Sequence, residues 1–91
     1  MSKPTEQELQ AALELAKQMR EQGKDPHSIA KSLLSHQYRI GYLEEVLQAV
    51  ERYFRSGMAE DEHRRLLKAV EKAHQAEERT AKQNPNELGL G

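Results

Sequence analysis

Residues 59–78, AEDEHRRLLKAVEKAHQAEE, carry the side chains of this chain whose types and spacing come nearest to chemistry. Glu60 stands three residues before His63, and Glu71 three before His74, so on a helix each carboxylate lies one turn from an imidazole. Bundles that hold paired metal ions use such Glu-x-x-His pairs, but take them from two helices and add glutamates from two more. Here both pairs fall on one predicted helix, about 16 Å apart at 1.5 Å per residue. One ion cannot use both. A site needs Glu14, Glu44 or Glu45 to converge, or a second chain running antiparallel. The chain has no cysteine to complete a ligand set. No metal and no cofactor is expected.

The same stretch is basic along one side. With His63 at 0° and about 100° per residue, Val70, His74, Leu67 and Leu66 fall between roughly −60° and 40°, the expected apolar side with the histidines at its edge. Arg65, Lys68, Lys72 and Arg79 fall between about 140° and 200°. With Arg64, and with Arg52 and Arg55 across the Ser56-Gly57 turn, they form a patch that could meet phosphates. Against that, Glu60, Asp61 and Glu62 are placed to pair with Arg64 and Arg65 at i, i+3 or i, i+4. There is no Trp, and Phe54, the one Phe, is expected in the core, so no base-stacking platform is visible. A solvated charged face is the plainest account of the patch.

No catalytic arrangement emerges. The five glycines sit at helix breaks or near the end of the chain, not in a phosphate loop. Ser35 and His36 are neighbours, which on a helix point about 100° apart and cannot act as nucleophile and base. The chain is expected not to be an enzyme.

The elements that must position these residues are helical. Helix formers dominate, and no stretch alternates with period two long enough to build a sheet. Thr5 followed by Glu8 is a capping box that opens a first helix with Leu9, Ala12, Leu13, Ala16 and Met19 on one face. Gly23 ends it, and Asp25-Pro26 opens a second helix carrying Ile29, Ala30, Leu33 and Leu34. Tyr38-Arg39-Ile40-Gly41 reads as a break. The third helix has the strongest stripe, Leu43, Val46, Leu47, Val50, Tyr53 and Phe54, within roughly 120° of arc, and is expected at the centre of the core. Ser56-Gly57 stops it. The apolar stripe of the fourth helix fades after His74, so its last turns are expected to fray or project.

The predicted fold is therefore all-α: a compact antiparallel bundle of four helices, about 5–22, 26–36, 41–55 and 58–81. Residues 1–4 are an N-terminal tail, 5–81 one helical domain, and 82–91 a disordered C-terminal tail in which Leu88 and Leu90 could serve as a short motif. Fourteen basic residues balance fifteen acidic ones, which removes the strongest argument for a nucleic-acid binder. The first 30 residues lack an apolar run, so neither a signal peptide nor a membrane span is expected, and a cytoplasmic location follows.

Two resemblances are visible. The run Ile29, Leu33-Leu34 and Tyr42-Leu43-Glu44-Glu45-Val46-Leu47 resembles the short helical repeats of RecX-type regulators. Residues 53–67, with Gly57-Met58 followed by Glu60-Asp61-Glu62, resemble the SHOCT-type hairpin, with His63 where that pattern has an aromatic. Each covers under a third of the chain. The resemblances imply an interaction module and carry over no residue role.

The functional expectation is a small helical protein-interaction module, an adaptor or regulator that binds another protein through its fourth helix. The residues expected at that surface are Arg64, Arg65, Lys68, Lys72 and Arg79, with Tyr38 and Tyr42 as anchors at a loop. A homodimer is a further expectation, because small bundles gain core by self-association. Nucleic-acid binding through the basic stripe and metal binding are the alternatives.

Overall fold

The computed structural model describes residues 2–82, and among them all regular structure is helical. There are three α-helices: α1 (Glu6–Glu21), α2 (Ile29–Arg55) and α3 (Glu60–Lys82), with a 3-10 turn at Pro26–Ser28 before α2. The four-helix expectation is thus corrected to three. The expected break at residues 38–41 is not there, because α2 runs unbroken through Gly41. A glycine inside a helix costs about 1 kcal/mol relative to alanine, a cost that packing can offset. Arg39 and Tyr42, either side of Gly41, both engage α3. The expected tail over 83–91, with Leu88 and Leu90, lies outside the described residues.

The chain forms two compact units, one up to Gln37 and one from Tyr38. In the first, the capping box forms as expected. The Glu8 amide donates to Thr5 Oγ1 at 3.0 Å and the Thr5 amide to Glu8 Oε1 at 2.7 Å. Gly23 takes φ 68° just beyond α1. The Lys24 amide then closes back on the Met19 carbonyl, as such helix ends do.

Asp25 caps a helix, although not at the expected register. His27 and Ser28 both take left-handed φ, 55° and 56°, so the α-helix begins three residues late, at Ile29. The Asp25 carboxylate accepts from the amides of Ala30 at 2.7 Å and Lys31 at 3.0 Å, and pairs with Arg20 at 3.4 Å. Burial pushes the carboxyl up, but those two amides and Arg20 outweigh it and hold the group below its ordinary value.

The second unit is an antiparallel hairpin of α2 from Tyr38 onward and α3, turned at Ser56–Ala59. Gly57 and Met58 take φ 71° and 63°, and Ser56 Oγ accepts from the Ala59 amide at 3.1 Å, satisfying a donor at the entry to α3. Among the described residues only Ala16, Ala30, Ala49 and Ala76 are buried, so neither unit has a core of large side chains. That overturns the expectation of a core centred on one apolar helix.

Candidate functional site

Burial along the hairpin follows an alternating three-four spacing. On α2 from Tyr38 onward the covered positions are Arg39, Tyr42, Val46, Ala49, Val50 and Tyr53; on α3 they are Glu62, Leu66, Ala69, Val70, Ala73, Ala76 and Thr80, with Val50 and Val70 standing beside the three-four rows. A mean repeat of 3.5 residues is that of a coiled-coil seam. Alanine at 49, 69, 73 and 76 lets the two backbones approach closely, and Ala49 and Ala76 are each only 1% exposed. The Thr80 hydroxyl donates back to the Ala76 carbonyl within α3. α3 is helical to Lys82, which counts against the expected fraying.

Side-chain contacts mark two edges of this seam. On one edge Arg39 Nε donates to Glu77 Oε1 at 2.8 Å, and the Tyr53 and His63 rings lie 5.7 Å apart. On the other edge the Arg79 guanidinium sits 5.9 Å from the Tyr42 ring centroid. There too Glu62 lies between Arg65 at 3.4 Å and Arg52 at 3.8 Å. Glu62 Oε2 has the Arg52 ion pair but no hydrogen bond.

The expected core stripe of α2 divides in two. Val46, Val50 and Tyr53 are partly covered, whereas Leu43, Leu47 and Phe54 are 51%, 60% and 65% exposed. With Ile40 at 46%, these exposed residues repeat at 40, 43, 47 and 54, a second three-four stripe beside the seam. On α3, Leu67 is 54% exposed and Val70 half-buried, between His63 and His74. In an antiparallel pair, positions that follow the seam in the same rotational sense on both helices emerge on the same face. The two stripes therefore form one apolar face, on the Arg39–Glu77 and Tyr53–His63 edge.

The expected site residues do not gather at one place. Arg64 borders the apolar face and is held by Asp61 at 2.7 Å, one turn back. Lys68 lies on the outside of α3, away from the seam. Arg65, Lys72 and Arg79 follow the opposite edge, where Arg65 meets Glu62 and Arg79 meets Tyr42. Tyr38 and Tyr42 are not at a loop: they stand one turn apart on the unbroken α2, edge to face with ring centroids 5.3 Å apart. A hydrogen bond between their side chains is the main cause that holds the Tyr42 phenol above its ordinary value. Tyr38, Tyr42 and Arg79 are thus the part of the expected surface that the fold brings together, and they brace the hairpin.

The packed side of α3 is turned by about 100° from the direction of His63. The expected apolar side was therefore displaced, and both His63 and His74 are exposed. Among the described residues no three His, Asp or Glu side chains group in a way that could hold a metal ion. A shallow open groove lies among Gln48, Glu51, Arg52, Arg55, Ser56 and Glu62. Among the described residues no helix is long and apolar enough to cross a membrane.

No family model, curated protein or solved structure matches the chain, so neither the RecX-type nor the SHOCT-type resemblance gains support.

Proposed function

We propose that the chain is a non-enzymatic, cytoplasmic protein-interaction module whose docking surface is the apolar face of the α2–α3 hairpin. The observation that carries this reading is the regular exposure of Ile40, Leu43, Leu47, Phe54 and Leu67 on one side of two packed helices. Single exposed leucines are ordinary, but a contiguous stripe of them on a rigid pair of helices suits a partner helix. The charge-rich composition supports an aqueous compartment.

The basic residues take a smaller part in this reading than the sequence suggested. Arg64 lies at the rim, where charge sets orientation and rate more than affinity. Phosphate binding is supported less well, since Arg64, Arg65 and Arg79 already have partners within the hairpin.

The test is capture by the tagged, nuclease-treated chain at moderate salt, comparing Leu47→Glu with the double variant Lys68→Glu/Lys72→Glu. Loss of the captured protein with Leu47→Glu and retention with the double variant is the expected result. Capture that ignores Leu47→Glu and vanishes with the lysine reversals would return the site to the basic stripe.

A further inference from the structure

We infer that the occupant of the apolar face is a second copy of this chain, the two hairpins packing face to face as a four-helix bundle. The inference rests on the interaction-module reading and names its partner. Three observations support it.

The first is area. Ile40, Leu43, Leu47, Phe54 and Leu67, each about half or more exposed, leave roughly 500 Å² of apolar side-chain surface open per copy, near the upper end for a largest patch on a monomer. Two copies together cover roughly 1,000 Å² before flanking side chains are counted, where specific interfaces begin. The second is the shortage of core. The hairpin fully buries only Ala49 and Ala76 among its described residues, so its own seam gives it little, and a second hairpin supplies the missing layer.

The third is self-complementarity. Both helices of the hairpin contribute to the face, α2 with Ile40, Leu43, Leu47 and Phe54 and α3 with Leu67 beside the half-buried Val70. A two-fold axis along the helices therefore sets α2 of each copy on α3 of the other, with every neighbour antiparallel. The pairs Arg39–Glu77 and Tyr53–His63 fix the level of the two helices, since residue numbers at one height add to about 116. The same axis sets Glu51, at the outer rim of the α2 stripe, level with Arg64 at the outer rim of the α3 stripe of the second copy, where Glu51 adds a second carboxylate to the one that Asp61 supplies at 2.7 Å. The alternative axis, across the helices, stacks α2 on α2, and centred near Gln48 it faces Glu44 of each copy with Glu51 of the other, a like pair that is unfavourable. In the favoured arrangement Glu44 stands level with Glu71, a like pair, so the difference between the two axes is the Glu51–Arg64 contact.

Sedimentation equilibrium of the full chain over a range of concentrations tests this, with helicity followed by circular dichroism. Wild type is expected at twice the chain mass, and Leu47→Glu at the single mass with its helices kept. Glu51→Arg alone and Arg64→Glu alone each raise the dimer dissociation constant several-fold, and the two together restore it. A wild-type dimer indifferent to Leu47→Glu overturns the inference. A dimer broken by Leu47→Glu but indifferent to both charge reversals overturns the arrangement of α2 on α3. If wild type stays at the single mass while Leu47→Glu still abolishes capture of another protein, this inference fails and the interaction-module reading stands. If wild type stays at the single mass and Leu47→Glu changes no capture, both fail.

Discussion

The unit up to Gln37 and the unit from Tyr38 solve the same problem in different ways. Each fully buries alanines alone among its described residues, Ala16 and Ala30 in one, Ala49 and Ala76 in the other. The first unit fastens its helix ends with polar groups: the Thr5–Glu8 box and the Asp25 carboxylate on two amides and Arg20. Its exposed large apolar residues are Leu15 and Ile29. The second unit fastens its helices along their length, by a close seam and cross-helix pairs, and leaves a regular apolar stripe open. Stability in the first unit should therefore follow pH, and in the second it should follow concentration.

The largest effect is expected at the seam. Ala76→Leu adds three carbons where the side chain is 1% exposed, and such overpacking typically costs about 1–3 kcal/mol. A urea midpoint unchanged from wild type would mean the helices are not closely packed there. The matching change on the open stripe, Leu47→Ala, should leave the midpoint of the dilute chain almost unmoved.

Next comes Asp25→Ala, which removes the cap on the Ala30 and Lys31 amides and the Arg20 pair. The thermal midpoint is expected to fall by several degrees. Because the folded carboxyl lies below its ordinary value of 3.8, its contribution is full above that pH and is lost as pH falls through the depressed folded value. Wild type and variant should therefore converge in acid and differ at neutral pH. A constant difference across the range would show that the carboxylate charge is not what holds α2.

The smallest effect tests the unbroken α2. Gly41 has helical neighbours, and a Cβ added there meets nothing within 4 Å. Gly41→Ala should therefore raise stability by about 0.5–1 kcal/mol. A loss instead would restore the break expected from the sequence.

What was legible in the sequence is the chemistry that acts over three or four residues. Thr5 with Glu8, and Gly23 and Gly57 at helix ends, do what their types require because their partners are local. Asp25 was legible as a cap but not in register, since the left-handed His27 and Ser28 that delay α2 have no local signal. Gly41 was misread because its cost is local while the contacts of Arg39 and Tyr42 that outweigh it come from residues 77 and 79.

The site was harder to read. On a helical wheel Val46 and Leu47 fall within one apolar arc, and nothing local tells the covered half from the open half. On α3, attention to Leu, Val and His displaced the packed side, because Ala69, Ala73 and Ala76 look unremarkable until a second helix lies against them. The fold class follows from composition; the seam follows from where small residues meet.

The most direct test sets two adjacent residues of α2 against each other, Val46→Asp and Leu47→Asp, by thermal circular dichroism at low concentration. Val46 faces α3 across the seam and Leu47 is 60% exposed. A carboxylate at 46 must be buried or must part the helices, and it is expected to destroy much of the helicity. The same group at 47 is expected to leave the hairpin folded and to remove only its association. Equal loss of helicity in the two variants would contradict the account, returning Leu47 to the core and closing the open face.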